Sequence, residues 1–182
     1  MKNCQKYVFQ SLRLGFREWA EEDIQEMFLI SSDTEVMKFF PEPQTIEQTK
    51  DLVRRMQQQF AKNCFCYFAV EVLETEEFIG FIGLAEINFE ASFTPAVDIG
   101  WRLAKSAWNK GYATEGANRC VRYGFDVMKL KSIKSIAPEI NTKSINVMKK
   151  IGMKQKETFK HPFLADCKRL ENCVLYEIEN NS

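Results

Sequence analysis

Hydrophobic and polar positions change period several times along the chain, and each change marks a predicted element. Val97, Ile99, Trp101 and Leu103 alternate with Asp98, Gly100 and Arg102, the two-residue period of a strand. Residues 8–14 read as an earlier strand, and the aromatic and β-branched runs 65–73 and 78–89 as neighbouring strands joined by the acidic turn 74–77. Ile24, Met27 and Phe28 keep helical spacing within residues 19–32. Pro41 and Pro43 break the path, after which Thr45 and Gln48 form a capping box that opens a helix through Leu52, Val53, Met56 and Phe60. Ala113, Ala117, Cys120, Val121, Phe125 and Met128 fall near one face of a third helix. Residues 132–140 predict a strand, 144–151 a short helix closed by Gly152, and 153–159 and 170–178 the last strands. The order β-α-α-β-β-β-α-β-α-β-β predicts an α/β fold, more closely an α+β mixed sheet flanked by helices. With no repeat or flexible linker visible, residues 1–182 are expected to form a single domain.

Composition narrows the function classes. A 45% hydrophobic and 27% charged chain is that of a folded globular protein rather than a disordered one. No apolar run reaches the roughly 18 residues that span a bilayer, and residues 1–9 are polar without a secretory pattern, so a cytoplasmic location without membrane partners is expected. Lys plus Arg and Asp plus Glu are 25 each, which gives no general electrostatic reason to bind nucleic acid. The six cysteines, at 4, 64, 66, 120, 167 and 173, lack paired ligand spacing, and His161 is the only histidine. No metal site is therefore expected, and free, mostly buried thiols are.

The segment after the alternating strand carries candidate chemistry. Trp108-Asn109-Lys110-Gly111-Tyr112-Ala113-Thr114-Glu115 joins a strand to a helix start through a short loop. Gly111 and Ala113 are small enough for close backbone approach, first-turn N–H groups suit anionic oxygens, and Lys110 adds a positive charge. A pyrophosphate fits that set; a tight strand-to-helix turn without a ligand fits it too. Neither GxGxxG nor GxxxxGK is present, which disfavours a dinucleotide oxidoreductase or a P-loop kinase.

The segments Ile99-Gly100-Trp101-Arg102-Leu103, Trp108 through Glu115, and Asn141-Thr142-Lys143-Ser144 with Val147 through Met153 resemble the coenzyme-binding motifs of the GCN5-related N-acetyltransferases. Leu12-Arg13-Leu14, Glu35 through Pro41 and Phe78 through Leu84 extend the resemblance to roughly residues 8–178. It is strongest to the branch that includes the ribosomal-protein N-terminal acetyltransferases. Two positions depart from that branch: Asn109 stands where Gly is common, and Asn146 where Arg is common.

The resemblance implies a splayed central sheet and acetyl-coenzyme A as cosubstrate. Ile99, Trp101 and Leu103 would face its pantetheine arm. Lys110, Gly111, Tyr112, Ala113 and Thr114 would hold its pyrophosphate, with Asn141 and Ser144 nearby. Ser144 is the candidate acid for the leaving thiolate, although Asn141 and Ser144 also suit a helix cap. Glu86 and His161 are candidate bases, and equally a solvated strand end and a structural histidine. Trp101, Phe89 and Phe93 could line the acceptor pocket, or simply pack. The expected partner is a small-molecule amine or a protein N-terminus, a polyamine among the alternatives, with the protein as monomer or homodimer. A coenzyme-A-binding regulatory domain without catalysis is the competing class.

Overall fold

Eight strands align in one sheet in the order β1-β2-β3-β4-β5-β6-β8-β7 in a computed structural model that describes residues 6–180. They are β1 (Phe9–Gln10), β2 (Leu14–Arg17), β3 (Tyr67–Val72), β4 (Phe78–Glu86), β5 (Val97–Leu103), β6 (Ser132–Pro138), β7 (Lys154–Lys160) and β8 (Asn172–Glu179). Four helices accompany them: α1 (Asp23–Ser32), α2 (Ile46–Asn63), α3 (Tyr112–Asp126) and α4 (Thr142–Lys150). This is the mixed, helix-flanked sheet expected from the pattern.

The first strand is a correction. Residues 8–14 do not run straight but fold back as the β1–β2 hairpin, with Phe9 opposite Phe16. Ser11 turns the chain: its N–H donates to the Leu14 carbonyl at 2.9 Å, and its hydroxyl accepts from the Leu14 N–H at 3.2 Å. Leu12 at the tip is left exposed, so a hydrophobic letter there carried no strand information. The first helix also begins later than its pattern suggests. Trp19 lies buried ahead of it, donating its indole N–H to the Tyr67 carbonyl at 2.6 Å. The Thr45 and Gln48 capping box forms as predicted, each side chain bonding the other's backbone N–H.

Helices cover both sheet faces. Opposed residues in an antiparallel pair share a face. Ile82 lies opposite Trp101 and Leu84 opposite Ile99, and Ile82 packs directly on Gly116 of α3, so these residues look towards α3. Phe81 pairs with Arg102, Gly83 with Gly100 and Ala85 with Asp98 on the other face, where α1 and α2 lie. The alternation in β5 therefore separates two functional surfaces, not core from solvent. No helix among the described residues is long and apolar enough to cross a membrane.

Candidate active site

The sheet opens at β5 and β6, the only parallel pair among the described residues. β4 and β5 match at seven positions, from Gly80 and Leu103 to Glu86 and Val97, whereas β5 and β6 meet at one, Asp98 with Lys134. Just beyond it the Ser135 hydroxyl donates to the Ile99 carbonyl at 2.9 Å, and the two strands then part. At the ends of β5 the Ala104 N–H and the Ala96 carbonyl bond to Ile79 and Ile87 on the β4 side. Strand alternation then turns the backbone groups of Ile99, Trp101 and Leu103 towards the gap. Ile99 already receives Ser135, and the Leu103 carbonyl accepts the Trp108 indole N–H at 3.0 Å. The Trp101 amide lies between those two anchored points.

The far end of the gap meets the start of α3. Asn109 and Gly111 both take left-handed backbone, with φ of 61° and 81°. Asparagine tolerates this conformation better than most residues, so its departure from glycine keeps the turn. The first bond of α3 runs from the Glu115 N–H to the Gly111 carbonyl, and no side chain caps the helix, leaving the Tyr112, Ala113 and Thr114 N–H groups without helical acceptors. A Cβ added at Gly111 would meet nothing closer than Arg13 Nη2 at 3.5 Å, so packing does not demand glycine there. Positive φ does, and the bare backbone is open to a ligand.

Glu115 holds this entrance in place. Its carboxylate accepts from the Ser11 hydroxyl at 2.7 Å, the Arg13 N–H at 2.8 Å and Arg13 Nε at 2.7 Å. Although burial opposes ionisation, these donors hold its pKa below the usual carboxylate range. Lys110, expected to supply positive charge, is exposed and does not line the cleft. Lys143 does, with Nζ 4.2 Å from the centre of the Trp108 ring across the mouth of the gap.

Gap and helix start belong to one cleft of about 1270 Å³ that continues between β5 and the α1–α2 side. Asn141 and Ser144 stand on its wall, and the capping expectation is met: the Asn141 side chain accepts the Ser144 N–H at 3.2 Å. That bond uses Ser144's backbone and leaves its hydroxyl available, so capping and catalysis are compatible.

The two expected bases fare differently. Glu86 lines the cleft but is exposed at the end of β4, with Lys62 at 3.6 Å. His161 is half-buried among Phe89, Phe159 and Phe163, and burial lowers its pKa. Its Nδ1 accepts the Phe163 N–H at 3.2 Å, which assigns the ring proton to Nε2. Phe89 reaches the cleft with it, whereas Phe93 packs behind against Phe159 and does not line it. Trp101 also lines the cleft, from the α3 side of β5, so two of the three aromatics expected there border it.

A carboxylate of greater interest sits where β5 and β6 part. Asp98 lines the cleft, Tyr67 donates its hydroxyl to Oδ2, and Oδ1 is buried without a hydrogen-bond partner. Burial lifts its pKa to about 7, against the opposing pull of Tyr67 and the nearby Ile136 amide. Gly100 makes room for this pair, because a Cβ there would lie 3.0 Å from the Tyr67 ring. Sequence reasoning missed Asp98. The available signal was its shared face with Gly100 and Arg102, but the pattern did not show that this face borders a cleft.

The one cysteine that borders the cleft among the described residues, Cys173, gives no support to thiol chemistry. Cys66, Cys120 and Cys173 are buried, and burial pushes their thiols up, Cys173 to about 11 where it borders the cleft. Cys4 lies outside the described residues.

Residues 13–154 match the acetyltransferase (GNAT) domain family. An uncharacterized N-acetyltransferase of Bacillus subtilis, YnaD, is 34% identical over 149 residues, 81% of this chain and 83% of its own. The solved GNAT-family acetyltransferase of Bacillus anthracis superposes with a TM-score of 0.79 at 29% identity, covering 93% of this chain and 96% of that one. The spermidine N-acetyltransferase of Vibrio cholerae, solved with CoA and spermine, gives 0.73 at 20% identity over 92% and 95%, a likeness of fold.

Proposed function

The chain belongs to the GNAT acetyltransferase family, whose members use acetyl-coenzyme A, and on that premise we propose that this N-acetyltransferase passes the acetyl group directly to a primary amine in the β5–β6 cleft. One observation carries the reading: strands that separate after a single backbone bridge lead straight to a helix start with three unpaired N–H donors. A strand-like pantetheine arm needs the first feature, and a pyrophosphate needs the second. In this assignment Ile99, Trp101 and Leu103 face the arm, while Lys110 through Thr114 supply backbone donors to the pyrophosphate. Lys143 adds a cation on that wall.

The chain's own groups account for each proton. Asp98, held near neutrality, takes the proton lost by the attacking amine. Oxygen charge on the acetyl carbonyl meets the Trp101 N–H turned into the gap. Ser144 donates its hydroxyl proton to the leaving sulfur as the C–S bond breaks, and recovers one from water. The amine nitrogen gains the acetyl group, and no acyl-cysteine is required. Asp98 replaces Glu86 and His161 as base because it stands at the parting of the strands, whereas Glu86 is solvated and His161 spends Nδ1 on its own turn.

Among acceptors, a protein N-terminal α-amine or a small amine fits better than a polyamine. The Vibrio cholerae enzyme acts on spermidine, but the acceptor side here carries Lys38, Arg55 and Arg102 alongside Glu35, Glu86 and Asp98. A polycation gains little from such a mixed wall. Thiol release from acetyl-coenzyme A, measured across peptides, amino acids and polyamines, tests the activity. Coenzyme A binding without release for any amine supports the regulatory-domain reading instead.

A further inference from the structure

Arg102 is a buried cation whose charge no carboxylate neutralises. Only 8% of its surface is exposed, and it enters no ion pair with the described residues. Nη1 donates to the Ser31 hydroxyl at 3.0 Å and to Gln44 Oε1 at 2.9 Å, both neutral acceptors. Its guanidinium carbon lies 4.4 Å from the Phe40 ring centre and 5.4 Å from that of Phe81. Nε is buried without a partner, and Nη2 makes no hydrogen bond to the described residues. Those two nitrogens form the edge that grips a carboxylate in a two-pronged bond.

Isolated charge in an apolar setting is costly, and removing its last neutral contacts would not relieve it. What would is an anion entering from the cleft that Arg102 lines. Phe40 and Gln44 approach from the α1–α2 connection, and Arg169 fastens that connection by donating to the Lys38 and Phe40 carbonyls at 2.6 and 2.9 Å. A clamped loop carrying an aromatic lid is a built site rather than an accident of packing.

Resting on the acetyl-transfer reading above, we infer that the acceptor is an amine bearing a carboxylate, with Arg102 binding the carboxylate and Asp98 receiving the amine. Arg102 and Asp98 share a face of β5 four residues apart, about 13 Å between backbones at strand spacing. Both residues line the one cleft, where an acceptor with an amine at one end and a carboxylate at the other would lie. Two cationic ends, as in a polyamine, would set one against Arg102.

The test uses saturating acetyl-coenzyme A and matched acceptors: amino acids against their carboxamides, tripeptides beginning Asp or Glu against Asn or Gln, and spermidine. Carboxylates should lead their amides by on the order of 100-fold in kcat/KM, as a charged hydrogen-bonded pair allows. The arm that shows the lead identifies free amino acid or peptide as the source. Arg102→Gln should erase the lead, so that each carboxylate and its amide turn over at the same rate, and Arg102→Lys should keep part of it. Equal rates for each pair, or a lead that survives Arg102→Gln, overturns the inference and leaves acetyl transfer standing. If no acceptor turns over, calorimetry on the coenzyme-A complex decides between them. Absent glutamate binding there overturns the carboxylate site, whereas absent coenzyme A binding overturns the acetyl-transfer reading beneath it. Circular dichroism and urea denaturation show whether the Arg102 variants are folded.

Discussion

Gly111→Ala separates a backbone that serves a turn from one that serves a ligand. At φ of 81° an alanine pays the left-handed penalty of roughly 1–2 kcal/mol. Steric cost adds nothing, since the closest heavy atom to the new methyl is Arg13 Nη2 at 3.5 Å. For a chain of this length that penalty lowers Tm by about 3 °C per kcal/mol. A pyrophosphate lying on the Gly111–Thr114 amides would meet the methyl at close approach and lose one or more charge-assisted bonds. At about 1.5–3 kcal/mol each, the Kd for coenzyme A rises roughly 10- to 150-fold. Calorimetry with coenzyme A and with pantetheine, which lacks the pyrophosphate, isolates the effect: only the first should weaken. A variant with lowered Tm and coenzyme A affinity within about twofold of the parent would falsify the pyrophosphate assignment. Gly111 would then be a turn residue and nothing more.

Other perturbations probe the remaining roles. Asp98→Asn should remove the limb near pH 7 from the kcat/KM profile and lower the plateau by about 100-fold or more; an unchanged limb assigns the base elsewhere. Because burial raises the Asp98 pKa above its unfolded value, its contribution to stability is present at low pH and is lost as pH rises from about 4 to about 7. Asp98→Asn should flatten that dependence in urea titrations. Ser144→Ala should reduce kcat with coenzyme A affinity nearly intact, and equal kcat across acceptors would reject the acid role. Glu115→Gln should cost about 1–2 kcal/mol by weakening three hydrogen bonds, read as a lower urea midpoint that an unaltered β1–β2 hairpin would not show.

Local signals in the chain suffice where the local chain decides the outcome. The Thr45–Gln48 box, the alternation of β5 and the glycine turn before α3 depend on neighbours a few residues away, and all three form. The hairpin at residues 11–13 depends on Glu115, about a hundred positions later, so periodicity could not reveal it. Asp98 and Arg102 were visible as the polar half of a strand, a position that ordinarily faces water. Their importance comes from Tyr67, Ser31 and Gln44, which arrive from distant segments. Lys110 shows the converse: a positive residue in the right motif can point away, while Lys143 reaches the same mouth from α4.

The single bridge between Asp98 and Lys134 also has a mechanical meaning. It divides the sheet into two plates, β1–β5 and β6–β8–β7, joined at the seam by that bridge and the Ser135–Ile99 bond and flanked by α3 and α4. A cosubstrate laid along the seam acts as mortar, adding hydrogen bonds that the chain itself does not make. Resistance to unfolding should then grow with the logarithm of coenzyme A concentration. Amide protection should rise first along the facing edges of β5 and β6, so the protein becomes most rigid when it is loaded to react.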